Sequence, residues 1–137
     1  MDLYNLKIIS FKASIKSTLD HTIDPLIEAL SYIKKNAIYR TIIHSDQGWQ
    51  YQHLSLVNEL KRHKVFQSMS RKGNCLDNSL MENYFGLLKQ EMYYGEDRVS
   101  YATLKKIDEY IYFYNNDRIK EKLSGLSPAA YQNKTLN

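Results

Sequence analysis

The sequence predicts an α/β domain in which helices cover a mixed β-sheet. Short runs of β-branched and aromatic residues alternate with longer segments whose apolar residues recur at helical spacing. The chain has 137 residues, which is enough for one domain with a buried core. Its 43% hydrophobic and 25% charged residues are typical of a soluble globular protein.

The first part of the chain predicts a hairpin followed by a helix. Residues 1–14 are expected to form two short strands around a tight turn at Tyr4-Asn5-Leu6. Asp24 is expected to cap the helix, with Pro25 at its first position and Lys34-Lys35-Asn36 at its end. Its apolar stripe is expected to consist of Leu26, Ile27, Leu30 and Ile33.

The middle of the chain predicts two strands and a helix. A buried strand is expected over residues 40–44, around Thr41-Ile42-Ile43, and Asp46-Gln47-Gly48 ends it. A helix is expected over residues 54–63, and Val65-Phe66-Gln67 predicts a last short strand. The inward face of that helix is expected to carry Leu56, Val57 and Leu60. Residues 68–75 are polar and contain Gly73-Asn74, which predicts a mobile loop.

Two further helices and a tail are predicted after this loop. The first helix opens at Leu76 or Asp77, carries Glu82 and ends at Gly95. The second is capped by Ser100 and has one apolar face, formed by Leu104, Ile107, Ile111 and Tyr114. Because Gly125 and Pro128 interrupt any pattern there, residues from about 118 to 137 are expected to form a loose tail.

Charge, cysteine content and hydropathy narrow the functional class. The net charge of +4 and the pI near 9 permit nucleic-acid binding without requiring it. The single cysteine, Cys75, cannot form an internal disulfide, which suits a reducing compartment. No apolar run approaches the roughly 18 residues of a membrane span, and the N-terminal residues lack a secretory signal pattern.

Two carboxylates, Asp46 and Glu82, are the candidate metal ligands, and 35 residues separate them (82 − 46 − 1). A carboxylate at the end of a strand and another on a later helix can converge on one site. Mg²⁺ prefers oxygen ligands of this kind, and two-metal phosphoryl transfer needs acids that hold ions roughly 3.5–4 Å apart. Taken alone, Asp46 is better interpreted as an ordinary turn residue and Glu82 as a solvated helix charge, and it is the surrounding motif that favours metal ligands.

Three motifs surround these acids: His44-Ser45-Asp46-Gln47-Gly48, then Ser70-Arg71-Lys72-Gly73-Asn74 before Asp77-Asn78, then Glu82-Asn83-Tyr84-Phe85-Gly86 with Lys89 and Glu91. Together they resemble the catalytic core of bacterial insertion-sequence transposases of the DDE class, which are related to retroviral integrases. The gap between Asp46 and Glu82 is that family's spacing between its second and third catalytic acids. The resemblance extends to residues 2–9 and 114–128, and so covers nearly the whole chain.

The resemblance implies a ribonuclease-H-like fold with Asp46 and Glu82 as catalytic residues and metal ligands. Mg²⁺ or Mn²⁺ is the implied cofactor, with two ions in a complete site. The family's first catalytic Asp lies on a strand that precedes the segment matched by Asp2-Leu3-Tyr4, and here only Met1 precedes it. We therefore expect an N-terminally truncated core (residues 1–137) that lacks this central strand and its acid.

The same resemblance implies contacts with DNA. Lys89 lies one heptad after Glu82, on the helix face that also carries Asn78, and matches the family's DNA-contacting cation. Arg71 and Lys72 lie in the loop before that helix, where cations can hold a phosphate. His44 is expected to orient substrate or to form a hydrogen bond near Asp46. Alternatively, Lys89 is an ordinary surface lysine, and Arg71 and Lys72 belong to a solvated loop. Solvation is also the simpler interpretation of the later cations, Arg118, Lys120 and Lys122.

The implied function is DNA transposition by metal-dependent phosphoryl transfer in the bacterial cytoplasm, at the nucleoid. The implied partners are transposon ends and target DNA, together with a second copy of the chain or an intact transposase. One alternative is a non-catalytic remnant that binds DNA or an intact transposase, and we expect the isolated chain to be inactive. A tyrosine recombinase needs Arg and His around one Tyr, which the sequence does not show despite its twelve tyrosines. A glycosidase-like acid pair explains neither Lys89 nor the basic loop.

Overall fold

The structure of the chain is a computed structural model that describes residues 1–14, 18–37, 39–72, 75–93 and 101–136. The predictions made for Gly73-Asn74, Gly95 and Ser100 lie outside these residues. The helices and strands are α1 (Asp20–Asn36), β1 (Ile42–Ser45), α2 (Trp49–Gln52), α3 (Leu54–Arg62), β2 (Phe66–Met69), α4 (Ser79–Tyr93), α5 (Tyr101–Asn116) and α6 (Pro128–Leu136). Short 3-10 helices cover Cys75–Asn78 and Glu121–Leu123.

The chain divides into two compact units. The central unit comprises Ser10–Glu82, and the terminal unit combines Met1–Ile9 with Asn83–Asn137. The terminal unit is therefore built from both ends of the sequence.

The sheet of the central unit consists of β1 and β2, which run parallel with Ile42 opposite Phe66 and Ser45 opposite Met69. Both strands were predicted, and each begins within two residues of its expected start. The expected burial of the first strand is wrong at Ile42, which is 63% exposed. Successive side chains of a strand point to opposite faces, so Ile43 packs into the core while Ile42 faces away from it.

The core of the central unit joins α1 to α3. Its buried residues are Leu26, Leu30, Leu56 and Leu60, and the partly buried side chains packed against them are Ile33, Ile43, Tyr51 and Val65. The predicted inward face of α3 is thus confirmed at its two leucines. The predicted stripe of α1 is confirmed except at Ile27, which is 44% exposed because it lies about 100° around the helix from Leu26.

The predicted start of α1 is wrong. The helix begins at Asp20, so that Asp24 and Pro25 lie inside it rather than at its cap and first position. Residues 20–24 form an extra turn before the proline, and the proline ring removes one backbone donor without ending the helix. The predicted end at Asn36 is confirmed.

The first residues of the terminal unit form a turn rather than the two predicted strands. Residues 3–5 are a turn, Leu6 has a φ of 61°, and the Asp2 N–H donates to the Lys7 carbonyl. Side chains take the hydrogen bonds that a strand partner would take: Asn5 Nδ2 donates to Asp2, and Asn5 Oδ1 accepts from the Lys7 N–H. Side chains that bond nearby backbone in this way favour turns over strands.

The C-terminal part of the terminal unit is ordered, so the expectation of a loose tail is wrong. Leu123 is only 3% exposed, and Pro128 is fully buried. The Ser127 hydroxyl accepts from the Ala130 N–H, and Pro128 takes the first position of α6. Pro128, one of the two residues that suggested a loop, is therefore the first residue of a helix that Ser127 caps.

Candidate active site

Asp46 lies directly after β1, at the carboxyl end of the strand. Its Oδ1 accepts a hydrogen bond of 2.7 Å from the Gly48 N–H, and the side chain is exposed. A Cβ at position 48 would come within 2.9 Å of this oxygen, so any other residue there would displace the Asp46 carboxylate. The local turn therefore fixes the direction of the carboxylate while leaving it accessible to solvent.

His44 connects the two strands beside this turn. Its Nδ1 lies 3.0 Å from the Ser68 hydroxyl, and its Nε2 lies 3.0 Å from the Ser70 hydroxyl. Ser70 is buried, and its N–H donates to the Ser45 carbonyl at 2.8 Å. Both ring nitrogens of His44 are thus engaged within the sheet, in keeping with the expected hydrogen bond near Asp46.

Arg71 binds Asp77 through three N–H groups. Its backbone N–H and its Nε donate to Oδ2 at 3.0 and 3.1 Å, and its Nη2 donates to Oδ1 at 3.0 Å. The side-chain and backbone hydrogen bonds from Arg71 lower the pKa of Asp77 to about 2, and the charge of His44 acts in the same direction. A cation expected to face DNA therefore has an internal partner.

Glu82 lies in the first turn of α4 and is exposed. It belongs to the central unit together with Asp46. Among the described residues neither carboxylate forms an ion pair, and no three His, Cys, Asp or Glu side chains gather as metal ligands. Two accessible carboxylates still suit Mg²⁺ or Mn²⁺, because Mg²⁺ is usually held by one or two carboxylates together with water and phosphate oxygens.

The rest of α4 lies in the terminal unit, where it is anchored by aromatic and ionic contacts. Tyr84 is buried with its ring 4.9 Å from that of Tyr114, in an edge-to-face arrangement. Glu91 accepts from the Tyr110 hydroxyl at 2.9 Å and from Arg118 Nε and Nη2 at 3.0 and 2.6 Å. The hydrogen bond from Arg118 is the main reason that the pKa of Glu91 is lowered.

Lys89, by contrast, is exposed on α4, as are Lys72 and Lys122 in their own segments. Asn78 is half-buried at the end of the 3-10 helix that precedes α4. Lys120 lies with its Nζ 4.5 Å from the centre of the Tyr114 ring, and partial burial lowers its pKa. The later cations are therefore not alike: Arg118 and Lys120 pack within the terminal unit, whereas Lys122 faces solvent.

The buried tyrosines are poor nucleophiles. Burial raises the pKa of both Tyr84 and Tyr114 to about 12, and burial with the hydrogen bond to Glu91 raises that of Tyr110 as well. These hydroxyls stay protonated near neutral pH, and the three side chains pack in the core of the terminal unit. Among the described residues, no helix is long and apolar enough to cross a membrane.

Comparison with protein families gives two matches, both to an integrase core domain, over residues 1–75 and 82–136. The chain is 45% identical to an uncharacterized transposase-like protein of Haemophilus influenzae, over 99% of this chain and 62% of that protein. It is 43% identical to the putative transposase InsK for insertion sequence element IS150 of Escherichia coli, over 98% of this chain and 47% of that protein. The transposase InsF for insertion sequence IS3A of the same species is 35% identical over 99% of this chain and 47% of its own length.

Two solved structures resemble this one. The catalytic core domain of BIV integrase has a TM-score of 0.59 at 17% identity, covering 90% of this chain and 77% of that chain. The simian T-cell lymphotropic virus intasome in complex with the PP2A regulatory subunit B56 gamma has a TM-score of 0.60 at 15% identity, over 78% of this chain and 37% of that chain. The chain itself spans about half the length of the curated relatives that it matches, from 47% to 62%.

Proposed function

The chain belongs to the integrase core domain family, as a ribonuclease-H-like core of the bacterial insertion-sequence transposase kind, and on that premise we propose that Asp46 and Glu82 hold divalent metal ions for phosphoryl transfer on DNA. Transposition at the level of the family follows from the relatives. The metal-dependent step and the residues that serve it are the proposal.

One observation carries the proposal: both acids are accessible and lie at the ends of elements that hold their backbones. Asp46 is fixed by the turn after β1, and Glu82 by the first turn of α4. Acids whose oxygens already accept from a cation, such as Glu91 beside Arg118, are less available to an ion than these two. Mg²⁺ or Mn²⁺ held by Asp46 and Glu82, with two ions in a complete site, would activate a water or a 3′-hydroxyl and would stabilise the leaving oxygen.

The protein's own part in this chemistry is to position the acids and the DNA. Lys89 lies seven residues after Glu82 on α4, which places the two about 20° apart around the helix axis. We assign Lys89, Lys72 and Asn78 to the DNA backbone, since all three are at least partly accessible. His44 and Arg71 have internal partners and reach DNA only by giving them up. Transposon ends and target DNA are the proposed substrates, and a second copy of the chain or an intact transposase is the proposed protein partner.

A Mn²⁺ titration followed by electron paramagnetic resonance tests the proposal directly. Asp46→Asn and Glu82→Gln should each weaken Mn²⁺ binding at least tenfold, because each removes an anionic oxygen ligand. The matched control is Glu28→Gln, which changes an exposed helical glutamate of α1 in the same way and should leave the affinity unchanged. Equal affinities for all three variants and the wild type would overturn the proposal.

A second candidate function is a chain that binds DNA, or an intact transposase, without cutting. It is favoured because no three His, Cys, Asp or Glu side chains gather as metal ligands among the residues that the structure describes. Incubation with Mg²⁺ and labelled transposon-end DNA separates the two candidates. Nicking that disappears in Asp46→Asn supports the phosphoryl-transfer core, whereas retention of the DNA with no nicking supports the binding chain.

A further inference from the structure

We propose that Arg71 is a positioning residue, which holds the start of the helix that bears Glu82 in place relative to the strand end that bears Asp46. This inference rests on the proposed function, since it concerns how the two acids are kept in register. It differs from the role that the sequence suggested for Arg71, which was contact with a DNA phosphate.

The contact itself has the form of a clamp. Arg71 uses its backbone N–H and two guanidinium nitrogens, and together they engage both oxygens of Asp77. Asp77 belongs to the 3-10 helix Cys75–Asn78, which leads directly into α4. Glu82 follows five residues after Asp77, within the first turn of α4. The clamp therefore closes the loop between β2 and α4 at the end nearest to Glu82.

The other end of the clamp is tied to the turn of Asp46. Ser70, which precedes Arg71, is buried and donates its N–H to the Ser45 carbonyl at 2.8 Å. Its hydroxyl lies 3.0 Å from His44 Nε2, and its carbonyl accepts from Gln47 Nε2 at 3.0 Å. Three of the residues around Asp46 thus bond to the residue before Arg71. The hydrogen bonds made by Ser70 and those made by Arg71 therefore connect the Asp46 turn to Asp77 through the peptide bond between these two residues.

The Arg71–Asp77 pair fixes an orientation more than it adds to the stability of the protein. The Arg71 side chain is 78% exposed, and exposed ion pairs add little stability. A planar guanidinium that donates two parallel hydrogen bonds nevertheless fixes the orientation of its carboxylate, which an ammonium cannot do. To hold a phosphate with the same nitrogens, Arg71 would have to release Asp77. The adjacent Lys72 is exposed and meets the need for a phosphate contact without that cost.

The first test compares Arg71→Ala and Arg71→Lys with Lys72→Ala in the Mn²⁺ titration. Replacing residues that orient metal ligands typically lowers metal affinity 10- to 100-fold, and for an indirect clamp we expect about tenfold in both Arg71 variants. Lys72→Ala should leave Mn²⁺ affinity unchanged. It should reduce the salt slope of DNA binding, which is the steepness of log K against log salt concentration, by about 0.9. Arg71→Ala should leave that slope unchanged. The reverse pattern, with a lower slope and unchanged Mn²⁺ affinity for Arg71→Ala, would overturn the inference.

The second test needs no metal, so it separates failure of the clamp from failure of the proposed function. Hydrogen exchange of the amides of residues 83–86, which bond to the first turn of α4, should speed up several-fold in Arg71→Ala and in Asp77→Asn. The double variant should be no faster than the faster single variant, because both changes break one interaction. Unchanged exchange in both single variants would refute the clamp, even if Asp46 and Glu82 prove to bind Mn²⁺. If the wild type binds no Mn²⁺ but exchange does speed up, the clamp stands as a determinant of the helix start and the proposed function falls.

Discussion

Replacing Asn115 by Ala should destabilise the terminal unit far more than the same change at the adjacent Asn116. Asn115 Oδ1 accepts from the Ile8 N–H at 2.9 Å, and Asn115 Nδ2 donates to the Ile8 carbonyl at 3.0 Å. One side chain thereby satisfies both backbone groups of Ile8, which is itself buried. The side chain takes the part of a neighbouring β-strand for the first segment of the chain.

The expected magnitude follows from what the alanine leaves behind. A buried donor or acceptor without a partner costs about 1–3 kcal/mol, and the substitution leaves one of each. Water entering the vacated space recovers part of this cost, so we expect a loss of about 2–4 kcal/mol in the free energy of unfolding. Domains are stable by only about 5–15 kcal/mol, so such a loss is readily measured.

Urea denaturation followed by far-UV circular dichroism measures this loss, and hydrogen exchange at the Ile8 amide locates it. Asn116→Ala is the matched control, because Asn116 is exposed and its side chain donates to the Tyr112 carbonyl of its own helix. It should change stability by no more than about 0.5 kcal/mol. Equal losses in the two variants, or an Ile8 amide that remains protected in Asn115→Ala, would refute the reasoning.

Three further outcomes are expected. Lys89→Ala should weaken DNA binding equally for all sequences and lower its salt slope by about 0.9, as measured by fluorescence anisotropy at several salt concentrations. The pKa of Glu91 is lowered in the folded protein, so its pair with Arg118 stabilises the protein at pH values above the ordinary carboxyl pKa. This stability is lost as the pH falls through the lowered pKa. Arg118→Ala should remove this pH dependence of the free energy of unfolding, as measured by urea titrations. The pKa of Tyr84 and of Tyr114 is about 12 in the folded protein, whereas an exposed tyrosine in the unfolded chain ionises near pH 10. The free energy of unfolding should therefore fall as the pH rises from about 10 to 12, and ultraviolet absorbance reports the ionisation.

Matched controls exist for two of these outcomes. Lys106→Ala removes an exposed lysine from α5, and its salt slope should equal that of the wild type. Arg62→Ala breaks the pair of an exposed arginine with the half-buried Glu59 on α3, and we expect it to flatten the acid limb of the urea titration less than Arg118→Ala does. A Lys106→Ala slope as low as that of Lys89→Ala, or an acid limb flattened as much by Arg62→Ala, would show that the effects are generic.

The sequence predicts those parts of the fold whose causes are local. The strand β1, the strand β2 and the helix α3 each show their own periodicity within ten residues or fewer, and all three are present. The N-terminal strands fail because their hydrogen bonds go to Asn5 and Asn115 instead of a neighbouring strand, and Asn115 lies 107 residues away from Ile8. No local pattern shows such a partner.

In the candidate site, too, the sequence predicts the features with local causes and misses those that depend on distant partners. The positions of Asp46 after a strand and of Glu82 on a helix follow from local pattern, and the structure has them there. The partner of Arg71 does not follow from local pattern, because from the sequence alone its guanidinium could bind either Asp77 or an external phosphate. In the folded structure it binds Asp77. The pairing of Glu91 with Arg118 has the same origin: its members are 27 residues apart, and each alone has the composition of a solvated charge.

The bond between Ile8 and Asn115 also sets an order of events during synthesis. The two residues are 107 positions apart, and ribosomes add about 5–20 residues per second, so Ile8 is made roughly 5–20 s before its partner exists. The leucine core of the central unit lies entirely between them and is complete once Leu60 has been made. The central unit can thus begin to fold while the first nine residues remain without their partner, and the terminal unit closes last. A nascent chain halted before Asn115 should accordingly leave its first segment open to protease, whereas one extended past α6 should protect it.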